Sequence, residues 1–390
     1  MLSHKDRNTD LAQEGSNRES VSYCRVVVKA GTTLLTHGSD RVNLQVMATL
    51  AEQLASLHSA EVGTLLVSSG AVAAGRHALG VSRGSRNVPF KQVLAAVGQG
   101  RLMHAYEQLF DRHQILVAQA LLTRADFDDR LGYLNVRNTL LSLLELGVIP
   151  IINENDVVAD DELSGQVFGD NDSLSALVAN LVDADLLVLL GQVDGLHTAD
   201  PNVDPGATLV RTVERLDDAV EAMGGRSWND QGQGGMATKL DAARLATASG
   251  IDVVIASGLE SDVITRLARG ERIGTFFPST ATKMESRKRW MLSELSNSSE
   301  IVVDLGARRA LVDGRGSLLP AGVVEVLGSF ERGDIVSILD PARDRIAAGI
   351  VNYGRDDLAQ IKGSQSDQIE QLVGHHYGDE AVHRNNMVVL

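Results

Sequence analysis

The chain has 390 residues, of which 44% are hydrophobic and only 4% aromatic, with 37 glycines. That is too long for one compact core and, rich in Gly and poor in aromatics, it suits two or three domains of α/β character better than a β-sandwich. A formal charge of −15 argues against sequence-blind nucleic-acid binding through a basic face, and any polyanionic ligand must find local positive potential in a few lysines and oriented N–H groups.

The first 22 residues are polar and lack an apolar signal core, so they read as a disordered tail. No run of 18 apolar residues occurs, so no membrane-spanning helix is expected, and a cytoplasmic location follows. The one cysteine, Cys24, excludes an intrachain disulfide and fits a reducing compartment. It opens the apolar run Cys24–Lys29, a strand, and reads as a buried small hydrophobe. Residues 43–58 carry apolar positions at helical spacing. Thr64–Ser68 is a second strand, and a helix is expected over 92–110. Val148–Asn153 and Leu186–Leu190 are continuous apolar runs, as doubly covered parallel strands should be. A polar loop over 153–172 lies between them, with a helix of about ten residues from Ser173. A helix over 239–249 precedes a buried strand at Asp252–Ala256. Alternating strand and helix implies a mainly parallel sheet in an open three-layer αβα sandwich. After about residue 280 a basic segment and a Ser/Asn-rich one lead to short apolar runs at 301–303, 323–327, 335–339 and 346–351, a small β-rich domain.

Ligands of open α/β sheets bind beyond the carboxyl ends of the strands. Five segments there carry chemistry. Lys29-Ala-Gly31-Thr sets a cation and free N–H groups at one spot, which can hold phosphate oxygens, though the same residues describe a surface lysine before a glycine turn. Ser68-Ser69-Gly70-Ala71 permits close ligand approach, or is ordinary turn chemistry. Asn153-Glu154-Asn155-Asp156 puts four polar side chains at the end of a buried strand, a mix of acceptors and amides suited to an ammonium and a carboxylate. In Asp170-Asn171-Asp172, Asp172 could be a helix N-cap, but three such residues in succession exceed what a cap requires. Gly232-Gln233-Gly234-Gly235-Met236-Ala237-Thr238-Lys239 is a glycine loop entering a helix with a lysine in its first turn, a phosphate cradle that is neither a Walker A loop nor a dinucleotide fingerprint. Arg124, Asp126 and Arg137 border the site or form surface ion pairs. Two lysines on glycine loops with carboxylates and amides at strand ends suit phosphoryl transfer, which needs positioning and charge neutralisation more than a covalent nucleophile.

VVVKAGTTLLT (26–36), SSGAVAAGR (68–76), KQVLAAVGQGRLM (91–103), LLTRADFDDR (121–130), VIPIINENDVV (148–158), FGDNDSLSALVA (168–179), GLHTADP (195–201) and GGMATK (234–239) together resemble the glutamate-phosphorylating branch of the amino-acid kinase family. SLLPAGVVEVLGSFERGD (317–334) and AVHRNNM (381–387) are similar to an appended PUA domain. The resemblance implies a kinase domain over 23–280, a linker over 281–297 and a PUA-like domain over 298–390. It implies ATP-dependent phosphorylation of the γ-carboxylate of L-glutamate, the first step of proline synthesis, with Mg²⁺ carried by the nucleotide and no protein metal site. By matched motif, Lys29 and Lys239 hold the ATP phosphates and Asp172 organises them. Ser69, Asp156 and Asn171 bind glutamate with Asn153 and Asp170 close by. Gly31 and the loop Gln233, Gly234, Gly235, Met236, Ala237, Thr238 contact the nucleotide. Family members usually carry Thr-Asp after the strand ending at Leu190; here Gly191-Gln192 stands there, on the adenine and ribose side. Feedback inhibition by proline is also implied, and a homodimer or homotetramer is expected. The alternatives are another amino-acid kinase, or an RNA-binding regulator acting through the PUA-like domain. Nine Lys and Arg against fourteen Asp and Glu from residue 295 onward disfavour the latter.

Overall fold

The computed structural model describes residues 22–390 apart from 40, 82–87, 159–170, 202, 226–234, 284–290, 292–298 and 314–315. The polar tail expected over 1–22 falls outside these except for Ser22, as does the linker over 281–297 except for 281–283 and 291. The first strand, β1 (Arg25–Ala30), shows how the layers arise. Val26, Val28 and Ala30 enter one apolar cluster and Val27 enters another, because successive side chains of a strand point to opposite faces. Lys29 shares the face of Val27, which decides what it meets.

The chain continues through α1 (Thr32–Thr36), α2 (Leu44–Ser59), β2 (Gly63–Ser68), α3 (Ala71–Leu79), α4 (Val88–Asp111), β3 (Val117–Leu122), α5 (Ala125–Asp128), α6 (Arg130–Glu145) and β4 (Ile149–Glu154). It then forms α7 (Asn171–Leu181), β5 (Leu186–Gly191), α8 (Asp218–Met223), α9 (Met236–Ala248), β6 (Asp252–Ser257), α10 (Val263–Ala268) and β7 (Thr275–Phe277). The seven strands lie in the order β3-β4-β2-β1-β5-β6-β7. All neighbours are parallel except the last pair. Met47 and Leu54 of α2, Tyr106 and Phe110 of α4 and Ile264 of α10 cover one face. Leu140 of α6, Leu174 and Val178 of α7 and Leu240 of α9 cover the other. This is the expected mainly parallel αβα sandwich. Strand order reverses between β1 and β5, so the crevice beyond their carboxyl ends is the place for a ligand.

Beyond it, β8 (Glu300–Val303), α11 (Leu305–Val312), β9 (Val323–Leu327), β10 (Ile335–Leu339), β11 (Arg345–Ile350), α12 (Arg355–Ile361), α13 (Ile369–Val373) and β12 (Met387–Val389) make a second unit. Its sheet runs β12-β11-β10-β8-β9, with only β8 and β10 parallel. It has its own core around Ile301, Phe330, Ile338 and Tyr353. Leu134 of α6 packs with Met291, Ile335, Ala348, Ile350 and Val388, which fastens the two units together.

Two readings of the sequence are corrected. Cys24 is exposed, not buried: it precedes β1, and its N–H donates to Asp185 (2.8 Å) while the sheet's apolar faces begin at Val26. The helix after the polar loop begins at Asn171 rather than Ser173, so Asp172 lies within the first turn and is not a cap.

Candidate active site

The crevice at the reversal point gathers the predicted catalytic residues. The Lys29 ammonium lies 2.5 Å from Oδ1 of Asp172, and Lys239 Nζ donates to Oδ2 at 2.8 Å. The Thr238 hydroxyl reaches the same Oδ2 at 2.9 Å. All three charged groups are buried, Asp172 completely. Each comes from a different element: Lys29 from the end of β1, Asp172 from the first turn of α7, Lys239 from the first turn of α9. Burial alone would push the Asp172 carboxyl up, but the two ammonium groups outweigh it and hold it well below the usual carboxylate range. The trio sums to one positive charge in a buried spot, which suits an anion.

Glycine shapes the walls. A Cβ at Gly31 would stand 3.3 Å from Lys29 Nζ, and one at Gly191 would lie 3.6 Å from Lys239 Cε. Side chains there would fill the space that the lysine heads face. Gly235 precedes α9 without a side-chain cap, so no N-cap side chain takes the first N–H groups of a thirteen-residue helix, the end at which a helix favours an anion. These features fit a polyphosphate. The Gln192 amide donates to the carbonyl of Thr33 (3.0 Å), tying the end of β5 to α1.

A second group of polar residues lies beside the first. The Asn171 amide donates to Ser69 Oγ (2.8 Å) and to Asn153 Oδ1 (2.9 Å), and Asn171 Oδ1 is a buried acceptor with no hydrogen-bond donor among the described residues. Gly70, at φ +110°, makes the turn that presents Ser69. Asp156 lies half-buried in the turn after β4. Asp170, Gln233 and Gly234 lie outside the described residues. Met236 and Ala237, half-buried, form the first turn of α9 with Thr238.

Sequence reasoning missed Gln99, whose Oε1 accepts from the Asn153 amide at 2.8 Å. Its signal was the pair of glycines at 75 and 98. A Cβ on Gly98 would meet the Ala71 carbonyl at 1.8 Å, and one on Gly75 the Leu94 carbonyl at 1.8 Å. Helices α3 and α4 therefore cross backbone to backbone, which carries Gln99 to the strand ends. Ser68 is structural, its hydroxyl paired with the buried Tyr106 (2.8 Å). Arg124 forms an exposed pair with Asp128, and Asp126 caps its own turn through Thr123. Arg137 belongs neither to the site nor to the surface: it is buried between α6, the end of α7 and the second unit.

The amino acid kinase family profile matches residues 25–257, the stretch that builds this crevice. This chain belongs to the amino acid kinase family. A PUA domain profile matches residues 299–373, the second unit. Glutamate 5-kinase of Dehalococcoides mccartyi strain CBDB1 is 50% identical over 94% of this chain and 99% of its own length. Glutamate 5-kinase of Herpetosiphon aurantiacus is 51% identical over 94% and 98%. The crystal structure of UMP kinase from Bacillus anthracis, at 16% identity, aligns with 66% of this chain and 97% of that chain at a TM-score of 0.44. Among the described residues of this family member, no helix is long and apolar enough to cross a membrane, and no cluster of three His, Cys, Asp or Glu side chains could hold a metal.

Proposed function

We infer that this kinase transfers the γ-phosphoryl of ATP to the γ-carboxylate of L-glutamate, giving L-glutamyl 5-phosphate for proline synthesis. The observation that carries this reading is the convergence of Lys29 and Lys239 on Asp172 between two glycine-lined strand ends, together with relatives named glutamate 5-kinase at half identity over nearly the whole chain. In this reading Lys29 and Lys239 neutralise charge on the transferring phosphoryl oxygens. Asp172 keeps both ammonium groups aimed at one point without reacting. The N–H groups at Gly31 and at the start of α9, from Gly235 to Lys239, cradle the remaining phosphates, and Gly191-Gln192 faces the nucleoside. Bound with the nucleotide, Mg²⁺ would supply further charge neutralisation.

Ser69, Asn153, Asp156 and Asn171, with Asp170, bind glutamate, and Gln99 locks the Asn153 amide so that its oxygen faces Asn171. The attacking group is already ionised at neutral pH, since a free γ-carboxyl titrates at about 4.3. No general base is then required, and catalysis reduces to alignment and charge stabilisation. We place the kinase domain at 23–280 and the PUA-like domain at 298–390, with the chain acting in the cytoplasm as a homo-oligomer and proline competing for the glutamate pocket. ADP release that requires both ATP and glutamate, and that falls about 10²–10³-fold in Lys29→Met, tests the reading. Undiminished release in that variant removes Lys29 from the chemistry.

A further inference from the structure

Helix α7 has two ends with different company. Its first turn holds Asp172. Its last carbonyl, of the kind a helix leaves unmatched, and the two carbonyls of the turn that follows it meet cations from three separate places. Arg137 of α6 donates to Leu181 O, Arg25 of β1 donates to Val182 O, and Lys283, in the segment leading toward the second unit, donates to Asp183 O (2.9 Å). Asp183 itself turns the chain at φ +52°, a left-handed conformation that Asp, with its short polar side chain, adopts more readily than most non-glycine residues.

Arg137 makes the remaining connection. Its NH2 donates to Asp183 Oδ2 (2.6 Å) and to Asn385 O (2.5 Å), and its Nε donates to Asn386 Oδ1 (2.7 Å). Asn386, fully buried, passes its amide on to Asn138 Oδ1 (3.0 Å). One planar guanidinium thus grips the C-terminal end of α7 with one edge and the last turn of the PUA-like unit with the other. A buried arginine is poor at stabilising a fold compared with apolar packing, because its desolvation offsets most of its attraction. What its rigid fork supplies is fixed relative geometry.

We propose that Arg137 is a positioning residue that couples docking of the Asn385–Asn386 turn to the placement of α7, and through it to the point at which Asp172 gathers Lys29 and Lys239. Helix α7 is the strut: eleven residues span about 16 Å at 1.5 Å per residue. A helix packed on both sides moves as a unit, so a loosened C-terminal grip shifts the carboxylate against both lysines. The coupling rests on the kinase reading given above.

The test uses the full chain with Arg137→Lys, which keeps the charge but loses the fork, Asn386→Ala, which removes only the PUA-side acceptor, and the double variant. kcat, both KM values and the melting midpoint are measured for each. The coupling predicts that kcat falls about tenfold or more in each single variant while both KM values stay within about threefold, since misplacement near 1 Å suffices for such losses. It also predicts that the double variant is no worse than the poorer single one. If Arg137→Lys fails to fold, Asn386→Ala decides alone. A lowered melting midpoint with unchanged kcat, or a rise in KM alone, overturns the proposal. Active unmodified chain with unaltered variants sinks only the coupling. Absence of glutamate-dependent turnover in the unmodified chain sinks the kinase reading and the coupling with it.

Discussion

Asp172 carries two lysine ammonium groups on one buried carboxylate, and its titration gives the pair a pH signature. Its folded-state pKa is depressed, so the stability it contributes is fully present above the unfolded carboxyl value of about 4 and is lost as pH falls through the folded value. The melting-point gap between the unmodified chain and Asp172→Asn should therefore be constant from pH 7 to 5 and shrink below about pH 4. A gap that widens on acidification would contradict the assignment. Lys29→Met and Lys239→Met, near-isosteric and uncharged, should each lower kcat by about 10²–10³-fold, the loss typical of a single transition-state charge partner; steady-state ADP release measures it. At this scale the sequence showed a great deal. Lys29, Asp172 and Lys239 each stood beside a glycine or at a helix start, where phosphate chemistry belongs. Arg137 was illegible, because a lone arginine on a helix carries no mark of partners more than 200 residues away.

Helix α4 reaches the site only because two glycines let it cross α3 at backbone contact. Gly98→Ala forces a methyl onto the Ala71 carbonyl and should cost at least about 1–3 kcal/mol, the range for overpacking a tight core. Urea unfolding reads this loss, and KM for glutamate should rise as Gln99 leaves Asn153. An unchanged unfolding midpoint would mean that the helices separate freely. Strands β1, β4, β5 and β6 were readable because burial on both faces makes them continuous apolar runs. Helix starts were less so. Gly235 offers no side-chain cap, so the usual signal for the start of α9 at Met236 is missing. Helix α4 starts at Val88 with Pro89 in its first turn, where proline needs no N–H partner.

At the scale of the whole molecule, the kinase and PUA-like units meet along α6. Leu134 is buried among Met291, Ile335, Ala348, Ile350 and Val388, whereas Arg130 and Asp334 form a partly exposed pair nearby (3.2 Å). Leu134→Ala should cost about 2–5 kcal/mol and Arg130→Ala no more than about 1 kcal/mol, compared by chemical denaturation. Equal losses would refute this division of the interface. The two-unit organisation was visible in the change of apolar run length after residue 280, and four of the five strands of the second sheet fell on those runs. Strand β12, three residues at the extreme end, is too short to show a period, and what holds it is its pairing with β11. The molecule as a whole is read as a carboxylate kinase. The most direct check offers the purified chain ATP with L-glutamate, L-aspartate or UMP, with hydroxylamine present to trap any acyl phosphate. The account predicts ATP-dependent formation of the γ-hydroxamate of glutamate, with aspartate and UMP turned over far more slowly; faster turnover of either of those would contradict it.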